Sequence, residues 1–182
     1  MLLLQWTGPE LLRYETRLIV EFQWWRFLTG HWVHANWIHY GMNMTGFSLC
    51  VALTGVNWSL WCWVWRIVML SLAISLAFYL GHSAIGWYVG FSGVLFGLYI
   101  LAAYSTLQQQ AFMSSLLLGF IVLKIGLEQW SSVNITSADL IGVPVMVDAH
   151  LYGVLAAVVL ILIQQSYNKL FQSKTNEQVK HD

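Results

Sequence analysis

The charges are distributed in a way that leaves few folds open. No Asp, Glu, Lys or Arg falls between Arg26 and Arg66, a run of 39 residues, or between Arg66 and Lys124, a run of 57. Ala149 to Asn168 adds another 20. A helix crossing the hydrocarbon core needs about 20 mostly apolar residues. The first run therefore holds one span and an interfacial approach, the second two or three spans, and the third one. Only 9% of the 182 residues are charged, and the net charge is zero. A soluble domain carries about 25%, so too little polar surface is left to coat a water-exposed globule. With 58% hydrophobic residues and 11 Trp, the chain reads as an all-α polytopic membrane protein whose surroundings are the lipid bilayer. Balanced charge excludes a nucleic-acid binder. Two cysteines, Cys50 and Cys62, make no disulfide framework.

Punctuation by Gly, Asn and Gln places five spans, at about 36–54, 60–80, 92–107, 111–127 and 145–163. Residues 7–30 mix Arg, Glu and aromatics, which suits a segment in the headgroup zone. Met1 to Leu4 is an apolar stub too short to span. Together, 1–168 form one membrane domain, and 169–182 are expected to be a polar, disordered tail. Lys169, Lys174, Lys180 and Arg66 fall on one side of a five-span chain, so the positive-inside rule puts them in the cytoplasm. The other face then looks outward.

Polar side chains on spanning helices are costly and call for a reason. His39 and Asn43, four apart, share one helix face. Ser92 stands between Gly90 and Gly93 at a loop-to-helix junction, where a helix N-terminus favours developing negative charge. His150, Gly153 and Ala157 share a face of the last span, and the small residues invite close approach to Gly93 and Gly97. Taken singly, each cluster is more simply a helix–helix hydrogen bond, an N-cap or a buried core histidine. Taken together, they hold what nucleophilic acyl transfer needs: a hydroxyl, a neutral imidazole to take its proton, and donors for an oxyanion. Asp148 lies only two residues from His150 and points off another face. With no other carboxylate obviously placed to orient His150, a Ser–His dyad is expected, not a triad.

The ordered set Trp25-Arg26, His34, His39-x-x-x-Asn43, Gly90-x-Ser92-Gly93 and Ala149-His150-x-x-Gly153 resembles the rhomboid family of intramembrane serine proteases. It covers roughly Trp24 to Ala157. The resemblance implies Ser92 as nucleophile and His150 as general base. His39, Asn43 and the Ser92 N–H would form the oxyanion hole, with Gly90, Gly93, Gly153 and His34 in support and Trp25-Arg26 holding the interfacial segment. The wording of the motifs, Trp87-Tyr88-Val89-Gly90-Phe91-Ser92-Gly93 and Asp148-Ala149-His150-Leu151-Tyr152-Gly153 among them, is similar to the bacterial rhombosortase subfamily. That implies cleavage of exported proteins at C-terminal Gly-Gly-type tails, in a bacterial inner membrane, with the active site facing the periplasm. The chain departs from the six-span bacterial pattern in a first span that is missing or reduced to Met1–Leu4. It also departs from the subfamily in Phe96, where histidine is common.

Three other readings stay open: a general rhomboid protease without Gly-Gly preference, a catalytically silent rhomboid-like escort of membrane proteins, and a haem-binding protein using His31, His34, His39, His82 or His150. No His-Glu-x-x-His string or cysteine pair points to zinc, so neither cofactor nor metal is expected.

Overall fold

Asn36 opens the first long helix. Its side-chain oxygen accepts the backbone N–H of His39 at 2.9 Å, satisfying one of the amides that a helix start leaves without a partner. Gly55, left-handed at φ 57°, closes it. The computed structural model describes residues 1–81, 85–130 and 137–181, with the backbone alone at 137 and from 172 onward. Among these the helices are α1 (Leu2–Gln5), α2 (Pro9–Leu12), α3 (Thr16–Val20), α4 (Arg26–Thr29), α5 (Trp37–Thr54), α6 (Leu60–Gly81), α7 (Ser92–Thr106), α8 (Ala111–Trp130), α9 (Ser137–Ile141) and α10 (Val147–His181).

Among the described residues, three segments are long and apolar enough to cross a membrane: α6, α8 and Val147–Phe171 of α10, with mean hydropathies of 1.8, 1.8 and 1.9. At 15 residues, α7 is only about 22 Å long, short of a hydrocarbon core of about 30 Å. The helix starts fall near the expected positions, but two ends differ. The fourth runs on past Leu127 to Trp130. The last continues to His181, which corrects the expectation of a disordered tail. No Gly or Pro lies between Lys169 and His181 to stop the helix, and Gln, Lys and Glu propagate it well.

α7 is the centre of the bundle. Gly93, Val94, Leu95, Gly97, Leu98 and Ile100 through Ala103 are all buried, and it packs against α5, α6, α8 and α10. A helix apolar on every side belongs inside. Its closest neighbour is α10. A Cβ on Gly93 would lie 2.6 Å from the Ala149 carbonyl oxygen, and one on Gly97 2.8 Å from that of Gly153. A Cβ on Gly153 would overlap the Gly93 carbonyl outright. The outer face of α8 (Phe112, Leu116, Phe120, Leu123) is exposed, as suits a helix solvated by lipid.

The segment before α5 is tied to the bundle rather than laid loosely over it. Tyr14 is fully buried, edge-on to Phe27 and Phe78. Its N–H donates to the Tyr88 carbonyl at 2.9 Å, and the Tyr88 N–H returns the bond at 2.9 Å. Gly30 lets Tyr14 pass, since a Cβ there would lie 2.5 Å from the Tyr14 nitrogen. Arg26 is the staple: its guanidinium donates to the Arg13 carbonyl at 2.7 Å and to Gln23 Oε1 at 2.8 Å. Trp25 is half exposed, so Arg26 and not Trp25 makes these bonds. Gln5 clamps the His34 backbone, donating to its carbonyl at 3.0 Å and accepting its N–H at 2.9 Å.

Ser75 donates its one hydroxyl proton to the Phe27 carbonyl at 2.7 Å. It therefore accepts from His31 Nε2 at 2.9 Å, which ties the interfacial segment to α6. Burial pushes the pKa of His31 down to about 3. Burial, with His39 close by, does the same to His34, also to about 3. Both are neutral in the fold, whereas the unfolded chain takes up protons near the ordinary value of about 6.5. The stability held by keeping them neutral is complete above pH 6.5 and is lost as the pH falls toward 3, by up to about 1.4 kcal/mol per histidine per pH unit. The melting temperature of the detergent-solubilised protein is expected to drop steadily from pH 7 to pH 4. A flat curve across that window would contradict this account.

Candidate active site

The loop entering α7 is shaped by Gly90, at φ 126°, a conformation that L side chains rarely adopt. A Cβ there would also lie 2.7 Å from Cε1 of His39, so only glycine lets the loop rest on that ring. Gly90 N–H donates to the Gly30 carbonyl at 3.1 Å, and the Tyr88 hydroxyl donates to the Gly90 carbonyl at 2.7 Å. The interfacial segment thus holds the loop two residues before Ser92.

Ser92 and His150 meet. Ser92 Oγ lies 2.9 Å from His150 Nε2. The contact of Gly93 with Ala149 and Gly153 draws α7 and α10 together at this level. The Phe96 ring lies over the imidazole, 4.6 Å between centroids and 33° between planes, so Phe96 packs directly on His150.

A carboxylate also reaches His150, which corrects the expectation that none does. Glu128 Oε2 lies 2.8 Å from His150 Nδ1, and Glu128 Oε1 accepts from Lys124 Nζ at 2.7 Å. Glu128 is 22 residues from His150 in sequence and reaches it from α8. It falls one residue past the expected end of the fourth span, where a charge reads as interfacial. The available signal was Lys124-x-x-x-Glu128 itself, an ion-paired turn on a helix otherwise without charge.

Ser92 and His39 line one cavity of about 170 Å³, walled also by Trp87, Tyr88, Pro144 and Met146. Asn43 is buried one turn further along α5, its amide nitrogen donating to the His39 carbonyl at 3.0 Å. That leaves its second N–H for another acceptor. His34 stands behind, its ring edge-on to His39 at 5.0 Å.

Two of the histidines considered for haem already have partners. His31 is bonded to Ser75, and both nitrogens of His150 are engaged; His82 lies outside the described residues. Among the described residues, no group of three or more His, Cys, Asp or Glu converges as a metal site would require.

The apolar, membrane-length helices define a multi-pass membrane protein. The family model for the Rhomboid domain matches residues 21–166. The chain belongs to the rhomboid family, whose members are generally intramembrane serine proteases acting on membrane proteins within the bilayer. No curated protein and no solved structure matches it.

Proposed function

We propose that this protein is an active intramembrane serine endopeptidase, with Ser92 as nucleophile and His150 as general base. The observation that carries the reading is the 2.9 Å approach of Ser92 Oγ to His150 Nε2 at a cavity within a rhomboid domain. As Oγ bonds to the scissile carbonyl carbon, its proton passes to Nε2. The C–N bond then breaks, and the amine leaves with that proton. Water, deprotonated in turn by His150, hydrolyses the ester on Ser92. His39 on the cavity wall, the second N–H of Asn43 and the Ser92 backbone N–H are the donors for the oxyanion. Asn43→Ala is expected to lower kcat by about 10²–10³-fold, the cost of one such donor. Unchanged kcat in a cleavage assay would remove Asn43 from this role.

The substrates we infer are exported proteins held by a C-terminal transmembrane tail with a Gly-Gly motif, in a bacterial inner membrane. Five helices crossing the bilayer, α5 through α8 and α10, would place Arg66 and Lys169 in the cytoplasm and Ser92 toward the periplasm. A helix shields its carbonyls, so the substrate must unwind before attack. Gly costs about 1 kcal/mol relative to Ala in a helix, and two in succession open the chain readily. The test is cleavage of a reporter bearing such a tail beside one with Gly-Gly replaced by Ala-Ala. Loss of cleavage with Ala-Ala supports the tail preference. Equal cleavage favours a protease without it, and no cleavage of either by folded protein favours an escort.

A further inference from the structure

Glu128 has no part in the two-residue reading above, yet it is the group that touches the far side of His150. We propose that Glu128, held by Lys124, is a positioning residue: it fixes the tautomer and ring orientation of His150 and supports its positive charge during attack. This inference rests on the proposed roles of Ser92 and His150.

The argument is one of donors and acceptors. Lys124 Nζ sits 2.7 Å from Glu128 Oε1, so the Glu128 carboxylate has an ammonium partner and acts as acceptor only. The other oxygen, Oε2, is 2.8 Å from His150 Nδ1, so Nδ1 must carry the proton. Nε2 is then the lone-pair nitrogen, and it is the one 2.9 Å from Ser92 Oγ. The tautomer that a general base needs is thus dictated from behind. When Nε2 takes the serine proton, the imidazolium charge forms against a carboxylate already in contact. His150 is 5% exposed and Glu128 15%, and in such surroundings a charge pair is screened weakly.

The Phe96 ring lies over one face of the imidazole, with Lys124 Nζ 5.9 Å from the Phe96 ring centre. Stacking limits tilt, but a ring face cannot choose a tautomer. Only Glu128 is bonded to Nδ1 among the described residues. The contact also has a mechanical consequence. Glu128 stands on α8 and His150 on α10, so the alignment of the base depends on where α8 sits.

The test uses the full chain in detergent and a fluorophosphonate, which reacts at an activated serine without needing a known substrate. Glu128→Gln can present an N–H to Nδ1 and so favour the wrong tautomer. It is expected to lower the maximal inactivation rate by about 10²–10⁴-fold while the concentration for half-maximal rate and the melting temperature stay unchanged. Glu128→Asp, which keeps the carboxylate, should recover part of the rate. A purely structural role would instead lower the melting temperature and leave the reactivity of the folded fraction intact.

Wild-type reactivity in folded Glu128→Gln, with Ser92→Ala and His150→Ala both inert, overturns this proposal alone. Labelling that persists in Ser92→Ala overturns the function reading beneath it. Should Glu128→Gln not fold, ¹⁵N-histidine NMR of the wild type decides. A strongly deshielded Nδ1 proton on His150 supports the bond to Glu128, and a proton on Nε2 overturns it.

Discussion

Ser92→Ala is expected to lower cleavage of a tail-bearing reporter by about 10⁶-fold, to background, while the protein still inserts and keeps its melting temperature. The magnitude follows from the way nucleophile and base act as a unit, since removal of either costs nearly as much as removal of both. His150→Ala should therefore fall to the same level, and the double variant no further. Deleting the Ser92 hydroxyl removes the group bonded to His150 Nε2, but no helix packing depends on it. The packing of this region rests on Gly93, Val94 and Leu95. Substantial cleavage in either single variant would show that the reaction runs elsewhere.

Gly153→Val is expected to be nearly as damaging by a different route. The Cβ of any larger residue at 153 would occupy the space of the Gly93 carbonyl. Backbone cannot turn aside as a side chain does, so α10 must move away from α7. Overpacking of this kind costs about 1–3 kcal/mol where neighbours can yield, and here the neighbour is itself a helix backbone. Ser92 and His150 lie on opposite sides of the seam, one residue and three residues from the colliding pair. A displacement of about 1 Å is enough for a rate loss on the order of 10²-fold, and cleavage by Gly153→Val should fall by at least that much with a lower melting temperature. Gly119→Ala on α8 is the control: nothing lies within 4 Å of a Cβ there, and Ala propagates helix better than Gly. Its activity and melting temperature should match or exceed wild type. A Gly153→Val protein as stable and active as the control would mean that the seam is looser than described.

Much of this architecture was readable from the chain because lipid imposes simple rules. Charge-free runs set where apolar helices lie, and Gly55, Asn36 and Gln108–Gln110 mark breaks between them. The small residues of the Gly93 and Gly153 turns pointed to a close helix pair, since without a hydrophobic drive between lipid-solvated helices such contacts rely on backbone approach. The interfacial segment was less readable. Its anchors (Arg26 on the Arg13 carbonyl, the Tyr14–Tyr88 bridge, Gln5 on His34) are mostly backbone bonds between distant loops, and backbone partners leave no periodic trace in sequence. Glu128 escaped because its partner is set by how α8 leans on α10, which no local spacing encodes. A charge near a span end has an ordinary explanation at the headgroups, and only the fold shows this one turned inward to His150.

Peptide mapping of the folded wild-type chain after fluorophosphonate treatment tests most directly whether a hydroxyl and an imidazole from two distant parts of the chain act on one atom. A single adduct on the peptide carrying Ser92, absent from His150→Ala treated identically, is the expected result. An adduct on another residue, no adduct on folded protein, or equal labelling in His150→Ala would contradict it.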